Sequence, residues 1–199
     1  MKTKCQPIVL TTAAIAALVT VLASGCAKSE SKSVTSSITP RQMADALFAV
    51  MSADRAVYTK QVVNRLQNEE KVIKASEHWK DEKALPLPAQ MFRMGAETVA
   101  DKKAGFTYAL LSLWPVNKQN TPKTDVEKAG LQFVADAKGA SNYYADEVLG
   151  GNTYFTAVYA DVAVSKACTS CHNGHKDSPR TDFALDDVMG GVVIRIPTR

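Results

Sequence analysis

Cys168, Thr169, Ser170, Cys171 and His172 form a C-x-x-C-H run. At this spacing two thiols can each bond a haem vinyl group, while the next side chain delivers an imidazole to one face of the iron. The run therefore predicts one covalently attached haem c, with Cys168 and Cys171 as anchors and His172 as the proximal ligand. Half of a zinc site is the competing chemistry, and it needs two further ligands. Only His78, His175 and carboxylates remain for that role outside the first 26 residues, so no second metal is expected. A thioredoxin-like pair would stand in a βαβ pattern, whereas this motif follows a strand-like segment rich in turn residues.

The motif's compartment is read from the N-terminus. Lys2 and Lys4 precede an uncharged run from Gln6 to Gly25 rich in Ala, Val, Leu and Ile, which predicts an export signal over residues 1–25. The segment Ala23, Ser24, Gly25, Cys26 resembles a bacterial lipoprotein processing site, although Ala23 stands where leucine is commonest. The resemblance implies lipid at Cys26, the first residue of the mature chain, and a protein anchored on the periplasmic side of a bacterial membrane. An ordinary signal peptide cut nearby is the alternative and would leave a soluble periplasmic protein. A transmembrane helix fits poorly, because the apolar run is short and broken by Thr11, Thr12 and Thr20. Cys5 leaves with the signal and Cys26 would be blocked, so the motif cysteines have no disulfide partner. Haem c is attached outside the inner membrane, in the compartment that the signal names.

Removal of Lys2 and Lys4 takes the 24 basic residues to 22 against 20 acidic ones, a balance of +2 before any haem propionate is counted. Nothing in that balance points to nucleic acid. The remaining residues suffice for one domain with its own core.

The elements that must position the motif follow from periodicity. Residues 26–38 are rich in serine and poor in large apolar groups, the composition of a flexible tether. Thr39, Pro40 and Gln42 form a helix start. Met43, Leu47, Val50, Val57, Val62 and Leu66 then predict one long amphipathic helix to about Asn68. A second helix is expected from Pro88 to about Lys103, and a third from Asp125 to Lys138, with Thr124 and Glu127 as its capping box. Strands are expected over residues 106–113, 153–160 and 190–197, with a turn at Gly150 and Gly151. The fold class is α+β: helices early, an antiparallel sheet late, and the C-x-x-C-H run between two late strands, with residues 39–199 as one domain.

Five strings in register extend this reading: Leu85 to Gln90; Asn117 to Pro122 followed by Glu127; Tyr154 to Val158; Cys168 to His172 with His175 to Pro179; and Gly190 to Ile194. Their order resembles a family of bacterial and cyanobacterial monohaem c-type proteins with a PAS-like fold, long catalogued as a domain of unknown function. The resemblance covers residue 40 to the C-terminus. It implies an antiparallel sheet with the haem between it and flanking helices that include the long N-terminal one. PAS-like haem domains sense gas or redox state when fused to signalling modules. No such module accompanies the motif, so a signal would pass to a separate partner.

The second axial position is open in the sequence. Members of that family can use a cysteine of the N-terminal helix, but no cysteine lies between Cys26 and Cys168. Met43 and Met51 are the sulfur-bearing substitutes, each with a core-filling role as the alternative. His78 is the remaining imidazole candidate, and His175, three residues past His172, suits a contact near the haem edge better than the opposite face. Tyr143, Tyr144, Tyr154, Tyr159, Trp79 and Trp114 line the site or pack the core. Arg180 and Arg195 pair with propionates or lie on the surface. The leading functional expectation is single-electron transfer to a redox protein or membrane partner. A haem-based redox or gas sensor comes second. A peroxide-reacting haem enzyme ranks last, because no distal acid and base pair stands out.

Overall fold

The computed structural model describes residues 37–198. The export signal, Cys26 and the tether up to residue 36 lie outside the described residues. Thr39 and Gln42 cap each other: Gln42 N–H donates to Thr39 Oγ1 at 3.2 Å, and Thr39 N–H donates to Gln42 Oε1 at 3.0 Å. Pro40 then opens α1 (Pro40–Val57). The helical chain continues over Tyr58–Glu69 in the wider π winding, and its last bond, from Glu70 N–H to Arg65 O at 2.9 Å, spans five residues. The expected long helix thus has the right extent but two windings.

Its inward face differs from the expected stripe. Val50 and Val57 are 62% and 58% exposed. The inward line runs Ala44, Phe48, Met51, Arg55, Thr59 and Val63. Two polar residues within that line are the first sign of a site.

A two-residue parallel pair joins β1 (Ala75–Ser76) to β2 (Leu85–Pro86). Next come α2 (Pro88–Asp101), β3 (Thr107–Leu111) and a short 3₁₀ turn at Lys118–Asn120. They are followed by α3 (Asp125–Asp136), β4 (Tyr143–Leu149) and β5 (Asn152–Val162). The chain finishes with α4 (Lys166–Gly174) and β6 (Val188–Pro197). The main sheet is antiparallel in the order β3-β6-β5-β4, and the fold class is α+β. Gly150 and Gly151 take φ of +58° and +84° and close the β4–β5 hairpin in two residues, a turn that needs left-handed backbone at both positions.

Strand β4 was not expected from the sequence. Asp146 and Glu147 interrupt its apolar pattern, yet Glu147 is buried and accepts from Thr156 Oγ1 (2.7 Å) and Arg195 Nε (2.6 Å). Arg195 Nη2 also reaches Glu127 Oε1 at 2.7 Å. Arg195 is therefore committed to two buried carboxylates and has no place beside a propionate.

The sheet is covered on both faces, and alternate residues divide between them. Tyr108, Ala157, Tyr159, Val192 and Ile194 pack with α1 and with Phe92 of α2. Ala109, Val158, Val193 and their neighbours pack under Leu131 and Val134 of α3. Helix α3 lies so close that a Cβ on Gly130 would come within 2.5 Å of Val158 Cγ2. Each fully buried Val or Ile contributes about 1.5–3 kcal/mol by leaving water. This pair of packed layers is rigid support for the strand end at Asp161, where the site lies.

Candidate functional site

Ser165 starts α4 by accepting the Ala167 N–H at its Oγ, 3.2 Å away. A helical turn brings residues three and four apart onto one face, so Cys168, Cys171 and His172 line up on α4. Both cysteines are free thiols; Cys168 is half-buried and Cys171 exposed. Cys168 packs against the small cluster of Ala163, Phe183, Met189 and Trp114. One sulfur is thus seated in apolar surroundings while the other reaches the surface.

His172 is half-buried, and its Nδ1 is buried without a hydrogen-bond partner. Burial pushes the imidazole below its ordinary pKa; Asp161 pulls upward, while Arg55 and His175 add to the lowering. The neutral ring is the form that binds a metal. The Phe183 ring stands edge-on to the imidazole, with centroids 5.9 Å apart at 89°. Asn173 fixes Phe183 in turn, donating from Nδ2 to its carbonyl (2.9 Å) and accepting its N–H at Oδ1 (3.0 Å). Arg180 covers the outer side of the same group, 4.2 Å from the Phe183 centroid and 5.1 Å from that of Trp114. Arg180 also reaches Asp182 through Nε and Asp187 through Nη2.

The attachment residues border a cavity of about 430 Å³. Cys168, Cys171, His172 and His175 form one wall. Arg55, Val63 and Gln67 come from the N-terminal helix, Leu87 and Pro88 from the start of α2, and Leu110 and Leu111 from β3. Asp161, Met189 and Gly190 close the strand side. Within it, Arg55 Nε and Nη2 donate to Asp161 Oδ1 and Oδ2 at 2.9 and 2.7 Å, a two-pronged pair. Two free thiols and a neutral imidazole beside a largely apolar cavity are the donor set that a vinyl-bearing haem takes, so the residues fit that group. Among the described residues, no three His, Cys, Asp or Glu side chains group to hold a separate metal ion.

The structure brings Cys168, Cys171 and His172 together with His175 on one wall and leaves the candidates for the second axial position elsewhere. Met43 and Met51 pack in the core around Tyr159 and do not border the cavity. The His78 side chain is 67% exposed beside Glu77, also off the cavity wall. Tyr159 stacks on Phe48 at 4.2 Å in the core rather than lining the site. Sequence reasoning missed Arg55, Asp161, Asn173 and Phe183. The available signal for Arg55 was its phase: it follows Met51 by four residues and precedes Thr59 by four, a charge on the inward line of an amphipathic helix.

A profile of the Tll0287-like family matches residues 35–197. Among solved structures, the crystal structure of the cyanobacterial haem protein Tll0287 is similar, with a TM-score of 0.50 at 10% identity. The match covers 81% of this chain and 98% of that one, a likeness of fold. No curated protein matches the chain.

Proposed function

The chain belongs to the Tll0287-like family, and from that premise we propose that it is an exported monohaem c-type protein that works by one-electron redox change. One observation carries this reading: the buried, unpartnered His172 nitrogen shares a cavity wall with two free thiols on the same helix face. Cys168 and Cys171 would hold the haem as thioethers, each thiol adding its sulfur and hydrogen across one vinyl double bond, which needs no oxidant. His172 would supply a ring nitrogen to the iron. Phe183 and Asn173 orient that ring, and Met189 with Leu110 and Leu111 gives the cavity part of its apolar lining. The bound group supplies a reversible ferric and ferrous couple. The sheet order, with the first long strand beside the last, supports a PAS-like arrangement in which haem lies between the sheet and the N-terminal helix.

Exposed Cys171 supports electron transfer, since it places the attachment edge where a redox protein or membrane partner can approach. The signal-like N-terminus and Cys26 support a periplasmic location with lipid as the membrane anchor. A second reading, a redox or gas sensor acting on a separate partner, is favoured by the placement of Met43, Met51 and His78 off the cavity wall.

Spectra of the purified protein separate these readings. A c-type pyridine haemochrome is expected, with haem incorporation weakened or abolished in Cys171→Ser. A colourless wild-type product at the mass of the bare processed chain, from cells competent to mature cytochromes, overturns attachment. Rapid carbon monoxide binding to the reduced protein selects the sensor over the electron carrier.

A further inference from the structure

The wall contributed by the N-terminal helix holds Arg55, Val63 and Gln67 and, among the described residues, no sulfur or imidazole. The remaining sulfur on the cavity, Met189, packs with Cys168 and Phe183 on the attachment side. His175 is close to His172 in the chain, and its Nδ1 already accepts the Asp177 N–H at 3.1 Å. A guanidinium does not coordinate iron, but it donates hydrogen bonds in a fixed fork.

Arg55 is built for that role. Asp161 takes its Nε and Nη2, Thr59 Oγ1 donates to its backbone carbonyl at 2.7 Å, and the two charged side chains are only 14% and 16% exposed. The third nitrogen, Nη1, is buried without a partner. An unpaired donor on a buried cation is costly, so an acceptor arriving there is strongly favoured.

We propose that Arg55, held by Asp161, is the receptor for a small exogenous anion at the iron position that His172 leaves free, with Nη1–H as the donor. This rests on the haem attachment proposed above and deepens its sensor reading: the site takes small anionic ligands, not a side chain, at the sixth position.

Titration of the ferric, haem-loaded protein with azide and of the ferrous protein with carbon monoxide tests it. Wild type is expected to bind both. Arg55→Met should weaken azide by about ten- to a hundredfold, the effect of losing a hydrogen bond from a charged donor, while neutral carbon monoxide changes little. Arg55→Lys, which keeps the charge without the fork, should fall between them and serves if Arg55→Met fails to load haem. Unchanged azide affinity in either variant overturns the proposal, as does parallel weakening of azide and carbon monoxide, which would show a general structural role or an Arg55 engaged with a propionate. A coloured wild type that takes neither ligand overturns this inference alone; a colourless one overturns the attachment with it.

Discussion

Asn173 grips the backbone of Phe183 on both sides of its Cα, donating to its carbonyl at 2.9 Å and accepting its N–H at 3.0 Å. The pairing ties the loop after α4 to the helix that carries the attachment residues, and the Phe183 ring it holds is the wall against which His172 stands. Asn173→Ala should destabilise the protein by about 1–3 kcal/mol, because two backbone groups lose partners at once. It should also broaden the ferric electron paramagnetic resonance signal, as the imidazole gains orientations. Asn173→Asp keeps the acceptor and should recover part of both effects. A sharp, wild-type signal in Asn173→Ala would show that Phe183 orients nothing.

Glu147, buried beside Arg195, makes stability depend on acid. Burial alone would raise the Glu147 carboxyl, but hydrogen bonds from Thr156 and Arg195 outweigh it and hold the group below its ordinary value of 4.5. Between the ordinary and the lowered value, the unfolded chain binds the proton and the folded one does not. This contribution is therefore complete above 4.5 and is lost as pH falls through the folded value. Glu147→Gln should flatten that acid-side loss in denaturant midpoints. Arg195→Met leaves two buried carboxylates unpaired and should cost about 3–5 kcal/mol at neutral pH. An acid limb as steep in Glu147→Gln as in wild type would assign the dependence to other groups.

What the sequence revealed follows from how local each signal is. The capping pairs Thr39 with Gln42 and Thr124 with Glu127 span three residues, and both are formed in the structure. The C-x-x-C-H run is equally local, and a single helical turn is enough to align its side chains. Strand β4 was hidden because Glu147 looks like a surface charge until Arg195, 48 residues further on, is brought beside it. Arg55 was hidden for the same reason: its partner Asp161 lies 106 residues away. For Met43 and Met51 the sequence leaves a core-filling role beside the ligand role, and the structure packs both in the core, because only tertiary packing decides what a methionine fills.

Lipidation is testable through Cys26. The mature wild-type protein should carry a mass above that of its polypeptide and haem and remain with membranes after a high-salt wash. Cys26→Ser should release it to the soluble periplasmic fraction with its haem spectrum unchanged, because residues 26–38 read as a spacer rather than as part of the domain. A wild-type mass without lipid would leave the ordinary signal peptide as the correct reading.

Tyr159 makes stability depend on alkali as well. Its hydroxyl donates to Asp45 Oδ1 at 2.7 Å, and Tyr144 donates to the same oxygen at 2.8 Å. Burial, and after it the Asp45 carboxylate, hold the phenol above its ordinary value of 10.0. The folded state therefore keeps a proton that the unfolded chain releases near 10.0. Its contribution is complete below that value and is lost as pH rises beyond it. Tyr159→Phe preserves the ring stacked on Phe48 and removes the hydroxyl, so at neutral pH it should cost only about 1 kcal/mol, since Asp45 is partly solvated and keeps Tyr144. Above pH 10.0 the variant should lose stability less steeply than wild type in urea midpoints. Equal alkaline slopes would mean that Tyr159 does not carry this dependence.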